Sequence, residues 1–267
     1  MSSLGLIAGK GIYPHLVLES ARRRGVQVYV AAFEGETSPE LASSGDQHEW
    51  MRLGQLGKLI AFFKKNQVRQ ALMAGQITPG RLFDLRPDFK ALFLLARLKK
   101  RNAETLFGAV ADELEKNGIE LLPATTYLED CLAAADLLAG PKPGRRFFSD
   151  LEIGWPVAKM NSELDVGQSV ILKKGTILAV EGYDGTNATI RRGGELGKGG
   201  AMLIKVSKPK QDMRFDVPVI GPDTIRICAE AGVSSIVIEA KKTLLLQPEE
   251  IRQLAHAHRV TLWGHSS

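Results

Sequence analysis

Leu4-Gly5-Leu6-Ile7-Ala8-Gly9-Lys10-Gly11-Ile12-Tyr13-Pro14 decides how the first half of the chain folds. A short apolar run enters a turn with two glycines. A helical pattern at 14–24 follows, with proline in the first turn, where its missing N–H has no partner to lose. Gly25 ends that pattern, and 26–33 is β-branched and apolar. Residues 48–53 read as a third strand, 56–66 as an amphipathic helix and 70–74 as another short strand. Strands that alternate with helices predict parallel pairing through right-handed crossovers, a Rossmann-like sheet. Helices are also expected at 89–99 and 103–116.

Gly140-Pro141-Lys142-Pro143-Gly144 cannot continue a helix or a central strand. We therefore expect a first domain at 1–140, a linker at 141–147 and a second domain at 148–267. In the second, 170–173 and 177–181 flank the turn Lys174-Gly175. Residues 201–206 and 235–239 also read as strands, and 224–231 and 248–258 as helices. The expected fold class is α/β: an N-terminal Rossmann-like parallel-sheet domain with a separate C-terminal α/β domain, the catalytic one.

The 267 residues are 44% hydrophobic and 24% charged, which excludes a disordered or fibrous chain. A net charge of +5 suits a phosphate-bearing or acidic partner without requiring nucleic acid. Cys131 and Cys228 form no C-x-x-C pair, which argues against a disulfide framework or zinc ribbon and for a reducing cytosol. The start of the chain lacks a signal-peptide pattern. No apolar run approaches the ~18 residues of a membrane span. A cytoplasmic protein is expected.

Gly9-Lys10-Gly11 resembles the opening of a dinucleotide fingerprint, with Pro14 in place of the third glycine. Glycines there let backbone approach a phosphate, and Glu34 at the end of the second strand is placed to hold a ribose. A tight strand–helix turn without a ligand explains the same residues. Arg191-Arg192-Gly193-Gly194-Glu195-Leu196-Gly197-Lys198-Gly199-Gly200 is not a phosphate-binding P-loop. It reads as a surface loop or as a flexible basic lid. Between Lys205 and Pro218, cations surround Asp212 and Asp216, four residues apart and so on one face. Such a pair can hold Mg²⁺ while Lys and Arg neutralise phosphate, and a salt-bridged surface hairpin fits the spacing equally. Glu181-Gly182-Tyr183-Asp184-Gly185-Thr186-Asn187 ends a strand with acidic and amide oxygens about two glycines. The apolar stretch 89–98 reads as a helix packed on the sheet, or as a wall for acyl chains.

Together, Leu6-Ile7-Ala8-Gly9-Lys10-Gly11 with Pro14, Ala74-Gly75-Gln76-Ile77-Thr78-Pro79 and Leu164-Asp165-Val166-Gly167-Gln168-Ser169 resemble one family. Gln211-Asp212-Met213-Arg214-Phe215-Asp216-Val217-Pro218 does so most of all. These are the bacterial UDP-2,3-diacylglucosamine pyrophosphatases of lipid A synthesis, of the type that is not a calcineurin-like phosphoesterase. The resemblance implies a homodimer with a substrate cleft between its domains, and hydrolysis to UMP and lipid X. It implies Mg²⁺, with Mn²⁺ or Co²⁺ as alternatives, and peripheral contact with the inner membrane. On this reading Asp216, Asp212, Lys205 and Arg214 are catalytic. Gly9, Lys10, Gly11, Gly75, Gln76, Gly185, Thr186 and Lys210 bind substrate, and Asp212, Asp216 and Glu181 hold the metal. Asp184 and Asn187 depart from the family's Glu-Ala-x-Glu-Gly-Thr-Asp pattern. Two rivals stand beside it: a nicotinamide-dependent oxidoreductase, and a non-catalytic carrier of a lipid or sugar nucleotide.

Overall fold

In the computed structural model, which describes residues 2–78, 87–98, 103–209 and 211–266, the opening apolar run forms β1 (Ser3–Ala8). Its turn leads into α1 (Tyr13–Arg23), with a proline in its first turn and two arginines in its last, where they complement the helix dipole. There follow β2 (Gln27–Phe33), α2 (Pro39–Ser44), β3 (Gln47–Met51), α3 (Leu56–Lys65), β4 (Gln70–Ala74), α4 (Phe89–Arg97), α5 (Ala103–Lys116) and β5 (Glu120–Leu121). These strands make a wholly parallel sheet in the order β3-β2-β1-β4-β5. Phe62 and Phe63 of α3 and Leu114 of α5 bury themselves with Ile7, Ala31 and Ala71 on one face. The other face takes α1, whose Val17, Leu18 and Ala21 are buried.

The second sheet has the order β6-β13-β11-β9-β7-β8. Its edge strand β6 (Asp136–Ala139) precedes α6 (Arg145–Glu163) and the hairpin β7 (Ser169–Lys173) and β8 (Thr176–Val180). Next come α7 (Gly185–Gly197), β9 (Ala201–Lys205), β10 (Val219–Ile220), α8 (Pro222–Glu230), β11 (Val233–Glu239), β12 (Leu244–Leu245), α9 (Pro248–Ala257) and β13 (Thr261–His265). β10 and β12 pair with each other as a small parallel ladder. Period-two alternation divides the core. Val170, Leu172, Met202, Ile204 and Val237 face α6, whereas Ile171, Leu203, Ile236 and Ile238 face α7, α8 and α9. Asp150 of α6 holds the β7–β8 turn by accepting from the N–H groups of Lys174 (3.2 Å) and Gly175 (2.7 Å).

The chain forms two compact units, Met1–Glu129 with Asp212–Asp216, and Asp130–Gln211 with Val217–Ser267. The division falls ahead of the expected linker. Residues 141–144 make the turn from β6 to α6 inside the second unit, and Arg145 and Arg146 already belong to the helix. The Pro/Gly signal marks a strand–helix corner because β6 pairs antiparallel with β13 at the edge of the second sheet.

The glycine-rich stretch is also not a loop. Residues 191–197 are the second half of α7. A Cβ on Gly193 would lie 2.4 Å from the Ile171 Cβ, and one on Gly194 would lie 2.2 Å from the carbonyl oxygen of Ala231. Glycine lets this helix lie close against β7 and the end of α8.

Candidate functional site

The first unit gathers five of the expected residues at the carboxyl ends of β1 and β4. Strand order reverses there, the position where open parallel sheets bind ligands. Gly9 N–H donates to the Ala74 carbonyl (2.8 Å), and Lys10 and Gln76 exchange backbone hydrogen bonds of 2.8 and 3.1 Å. Gly9 and Gly75 are demanded by this close approach: a Cβ on either would meet the opposite backbone at 2.5 or 2.6 Å. Gly11, at φ +91°, faces open space. Lys10 Nζ donates to Thr78 Oγ1 (2.8 Å) and stands 3.7 Å from Glu36 Oε2. The Glu36 side chain is fully buried and accepts from Thr78 N–H and Oγ1–H at 3.1 and 3.2 Å. Glu34, the residue expected to face a ribose, pairs with Arg52 at 3.2 Å on the surface. Glu36 went unread because it lies beyond the end of β2, where alternation no longer assigns a direction.

Asp212, Arg214 and Asp216 belong to the same unit. Asp216 N–H donates to the Asp212 carbonyl (2.9 Å), so the two aspartates are joined by a single helical turn. Arg214 grips the Asp212 carboxylate with Nε (3.0 and 3.2 Å) and Nη2 (2.8 Å), and its Nη1 donates to Glu115 (2.8 Å). That guanidinium holds the Asp212 carboxyl below its usual range against the opposing effect of burial, and Arg214 is itself pushed up by Asp212. The fork expected to meet phosphate thus serves two carboxylates and fixes the turn.

In the second unit, the carboxyl ends of β8, β9 and β11 lie at one edge of the sheet with the start of β7 and the N-terminus of α7. A polar cleft of about 230 Å³ opens there, lined by Asp165, Gln168, Glu181, Thr186, Lys205 and Lys208 among others. Thr186 Oγ1–H donates to Glu181 Oε1 (2.8 Å), Gln168 N–H to Glu181 Oε2 (3.1 Å), and Lys205 Nζ reaches Thr186 Oγ1 at 3.4 Å. Lys208 pairs with Asp165. Gly185 opens α7 at φ +80° with no neighbour within 4 Å. Of the candidate site residues, Glu181, Thr186 and Lys205 line this cleft together with Lys208, a member of the cation cluster read from the sequence, whereas Gln168 was not foreseen as lining. Asp184 pairs with Arg192 and turns from that group. Lys210 lies outside the described residues.

The expected metal ligands divide between the units, Asp212 and Asp216 in one and Glu181 in the other. Among the described residues no three His, Cys, Asp or Glu side chains converge as a metal cluster. Both Glu181 oxygens already accept hydrogen bonds, from Thr186 in the following turn and from Gln168 N–H ahead of β7. The aspartate pair offers oxygen donors alone, the set that fits Mg²⁺, which takes one or two carboxylates and completes its shell with water and phosphate.

The chain is thus a two-unit α/β protein with a Rossmann-like sheet, a polar cleft lined by two lysines and two carboxylates, and an aspartate pair held on one turn. Residues 3–131 match the LpxI N-terminal domain and residues 134–263 the LpxI C-terminal domain, and the chain belongs to the LpxI family. It is similar to the UDP-2,3-diacylglucosamine pyrophosphatase LpxI of Caulobacter vibrioides, at 29% identity over 94% of this chain and 93% of that protein. Likeness to solved structures is slight. Pyruvate carboxylase of Rhizobium etli has a TM-score of 0.30 at 12% identity, covering 67% of this chain and 15% of that one. N5-carboxyaminoimidazole ribonucleotide synthetase of Thermotoga maritima has 0.26 at 12%, covering 69% and 42%.

Proposed function

We propose that the protein hydrolyses the pyrophosphate bond of UDP-2,3-diacylglucosamine to UMP and 2,3-diacylglucosamine 1-phosphate, with Mg²⁺, in lipid A synthesis. The observation that carries this reading is the match of both LpxI domains across the chain, in line with the Caulobacter enzyme over nearly its full length.

The chemistry on the page is compatible. Displacement at phosphorus needs charge neutralisation and a positioned water more than a covalent nucleophile. Lys205 and Lys208 put two ammonium groups into the cleft, and the α7 N-terminus, which carries no side-chain cap, faces it with Thr186. Gly9, Lys10, Gly11, Gly75 and Gln76, at the switch point of the first sheet, are assigned to the remaining polar part of the substrate, with Lys210. Asp216, and Asp212 on the same turn, would hold the cation. When bound, Mg²⁺ polarises a phosphoryl oxygen and neutralises developing charge. Asp216 is assigned to orient the attacking water.

For the acyl chains, α4 offers Phe89 (92% exposed), Phe93 (64%) and Leu92 (55%) on its outer face. The sequence continues into Lys99-Lys100-Arg101, residues outside the described set. Contact with the inner membrane along this face, a cytoplasmic location and a homodimer complete the proposal. Among the described residues no helix is long and apolar enough to cross a membrane.

Incubation with UDP-2,3-diacylglucosamine and Mg²⁺ in ¹⁸O water, followed by mass analysis, tests it. UMP and lipid X should form, one of them carrying ¹⁸O, and chelation should stop turnover. Intact substrate after prolonged incubation, with the nucleotide bound, would favour a carrier.

A further inference from the structure

Glu239 ends β11 with 1% of its side chain exposed, and none of the chemistry above uses it. Its Oε2 accepts from Ser207 Oγ–H (2.6 Å), Ser207 N–H (2.9 Å) and Lys159 Nζ (3.0 Å), and its Oε1 from Lys242 Nζ (2.7 Å). Lys159, from α6, also donates to the Ser207 carbonyl (3.0 Å). Ser207 is itself fully buried, so its N–H, C=O and hydroxyl are all held by this one group of side chains. It sits between Lys205 and Lys208, the two cations of the cleft. Ordinary sheet pairing ends at Lys205, opposite Ile238. Past that point a single backbone bond remains, from Val206 N–H to the Gln168 carbonyl (2.9 Å), and Ser207 is fixed by a carboxylate instead of a ladder.

A buried charge that only stabilised the core would be a poor choice, since apolar residues of the same shape often do as well. What Glu239 provides that they lack is direction. Three hydrogen bonds to a single residue and its lysine define where the backbone leaves the sheet, and hence where the next cationic side chain starts. Burial raises the Glu239 pKa, yet the bonds from Lys242, Ser207 and Lys159 outweigh it and hold the group at about 2, so it is an anion throughout the physiological range.

Building on the proposed hydrolysis, we infer that Glu239 is a positioning residue, which through Ser207 sets Lys205 and Lys208 against the phosphates of the substrate. Glu239→Gln keeps the shape and loses the charge, and Ser207→Ala removes a single bond. Both should leave the melting profile cooperative. Each should raise KM for the diacyl nucleotide about tenfold, with kcat falling less. Amide hydrogen exchange at 205–209 should accelerate while Ile236 and Val237 in β11 stay protected. Unchanged exchange at 205–209 in both variants, or wild-type KM in both, overturns the inference. Should Glu239→Gln fail to fold, Ser207→Ala decides it alone. If the wild-type enzyme does not turn over this substrate, the functional reading falls, while the exchange experiment still decides whether Glu239 fixes the segment.

Discussion

At Asp212 and Asp216, identical side chains one helical turn apart have different work. Asp212 receives the Arg214 fork and closes the turn, whereas Asp216 is half-buried at its end. Asp216→Ala should therefore cut kcat by on the order of 10²-fold or more, the usual effect of losing one electrostatic element. Asp212→Ala should lose activity and, in addition, the charged hydrogen bonds, worth about 1.5–3 kcal/mol together with what their burial adds. Urea melts of Asp212→Ala and rate measurements on both variants check this, and full activity of Asp216→Ala would contradict its assignment. Glu239 gives a second residue-level expectation. Its folded pKa of about 2 lies below the ~4.3 of an unfolded glutamate, so on acidification the unfolded chain takes the proton first. The stability it contributes is complete above about pH 4.3 and is lost as pH falls toward 2. Lys159 and Lys242 face it, at 3.0 and 2.7 Å. His265, across the ladder, has its pKa lowered by burial against the opposing pull of Glu239. Urea midpoints at pH 6, 4 and 2.5 should fall more steeply in the wild type than in Glu239→Gln.

Among the elements, α4 and α7 are where one-dimensional reading meets its limit. The sequence of α4 is apolar nearly all round, and we expected either a core helix or an acyl wall; one face is core and the other is exposed. Leu94 packs against the first unit's core and Ala91 is buried, while Phe89 and Leu92 look outward. Leu94→Asp should thus destabilise the fold instead of simply raising KM. Phe89→Ser with Leu92→Ser should leave Tm near wild type and raise KM for the diacyl substrate, but not for a deacylated one. A parallel rise for both substrates would remove α4 from acyl recognition. In α7 the glycines read as loop because propensity counts the backbone freedom of glycine and is blind to what presses on the helix. Gly193→Ala should cost about 1–3 kcal/mol from overpacking against Ile171, or roughly 2–4 °C in Tm for each kcal/mol. Gly108 of α5 has no atom within 4 Å of an added Cβ, so Gly108→Ala should stabilise by about 0.4–1 kcal/mol. A melt of equal sign for the two would refute the packing explanation.

Across the whole molecule, the period-two and helical patterns of the first sheet were legible because β1, β2 and β4 are short apolar runs closed by glycine or polar turns, signals that lie within a few residues. What the sequence did not disclose was connectivity at longer range. The Pro/Gly corner at 141–144 looked like a domain border, since local chemistry is the same whether a turn joins two domains or a strand and a helix. The true border, at 129–130, carries no such signal. Nor does a linear pattern reveal that Asp212–Asp216 returns to the first unit after 82 residues, Asp130–Gln211, spent in the second. That return is held by identifiable contacts. Phe215 lies 5.9 Å, ring to ring, from Phe107 of α5 and packs on the core beneath α3 and α5. Ala124 N–H donates to the Met213 carbonyl (2.7 Å). The two aspartates are therefore seated by an aromatic anchor, and the anchor can be removed without touching either carboxylate. Phe215→Ala should release the segment: the Ala124 amide should exchange at least tenfold faster, and kcat should drop toward that of Asp216→Ala. The amides of β1 and of β9 should keep their protection, since neither strand contributes to this contact. Fast exchange confined to Ala124 with full activity would mean that the aspartates hold their place without the anchor, and that the turn made by Asp212 and Arg214 suffices by itself.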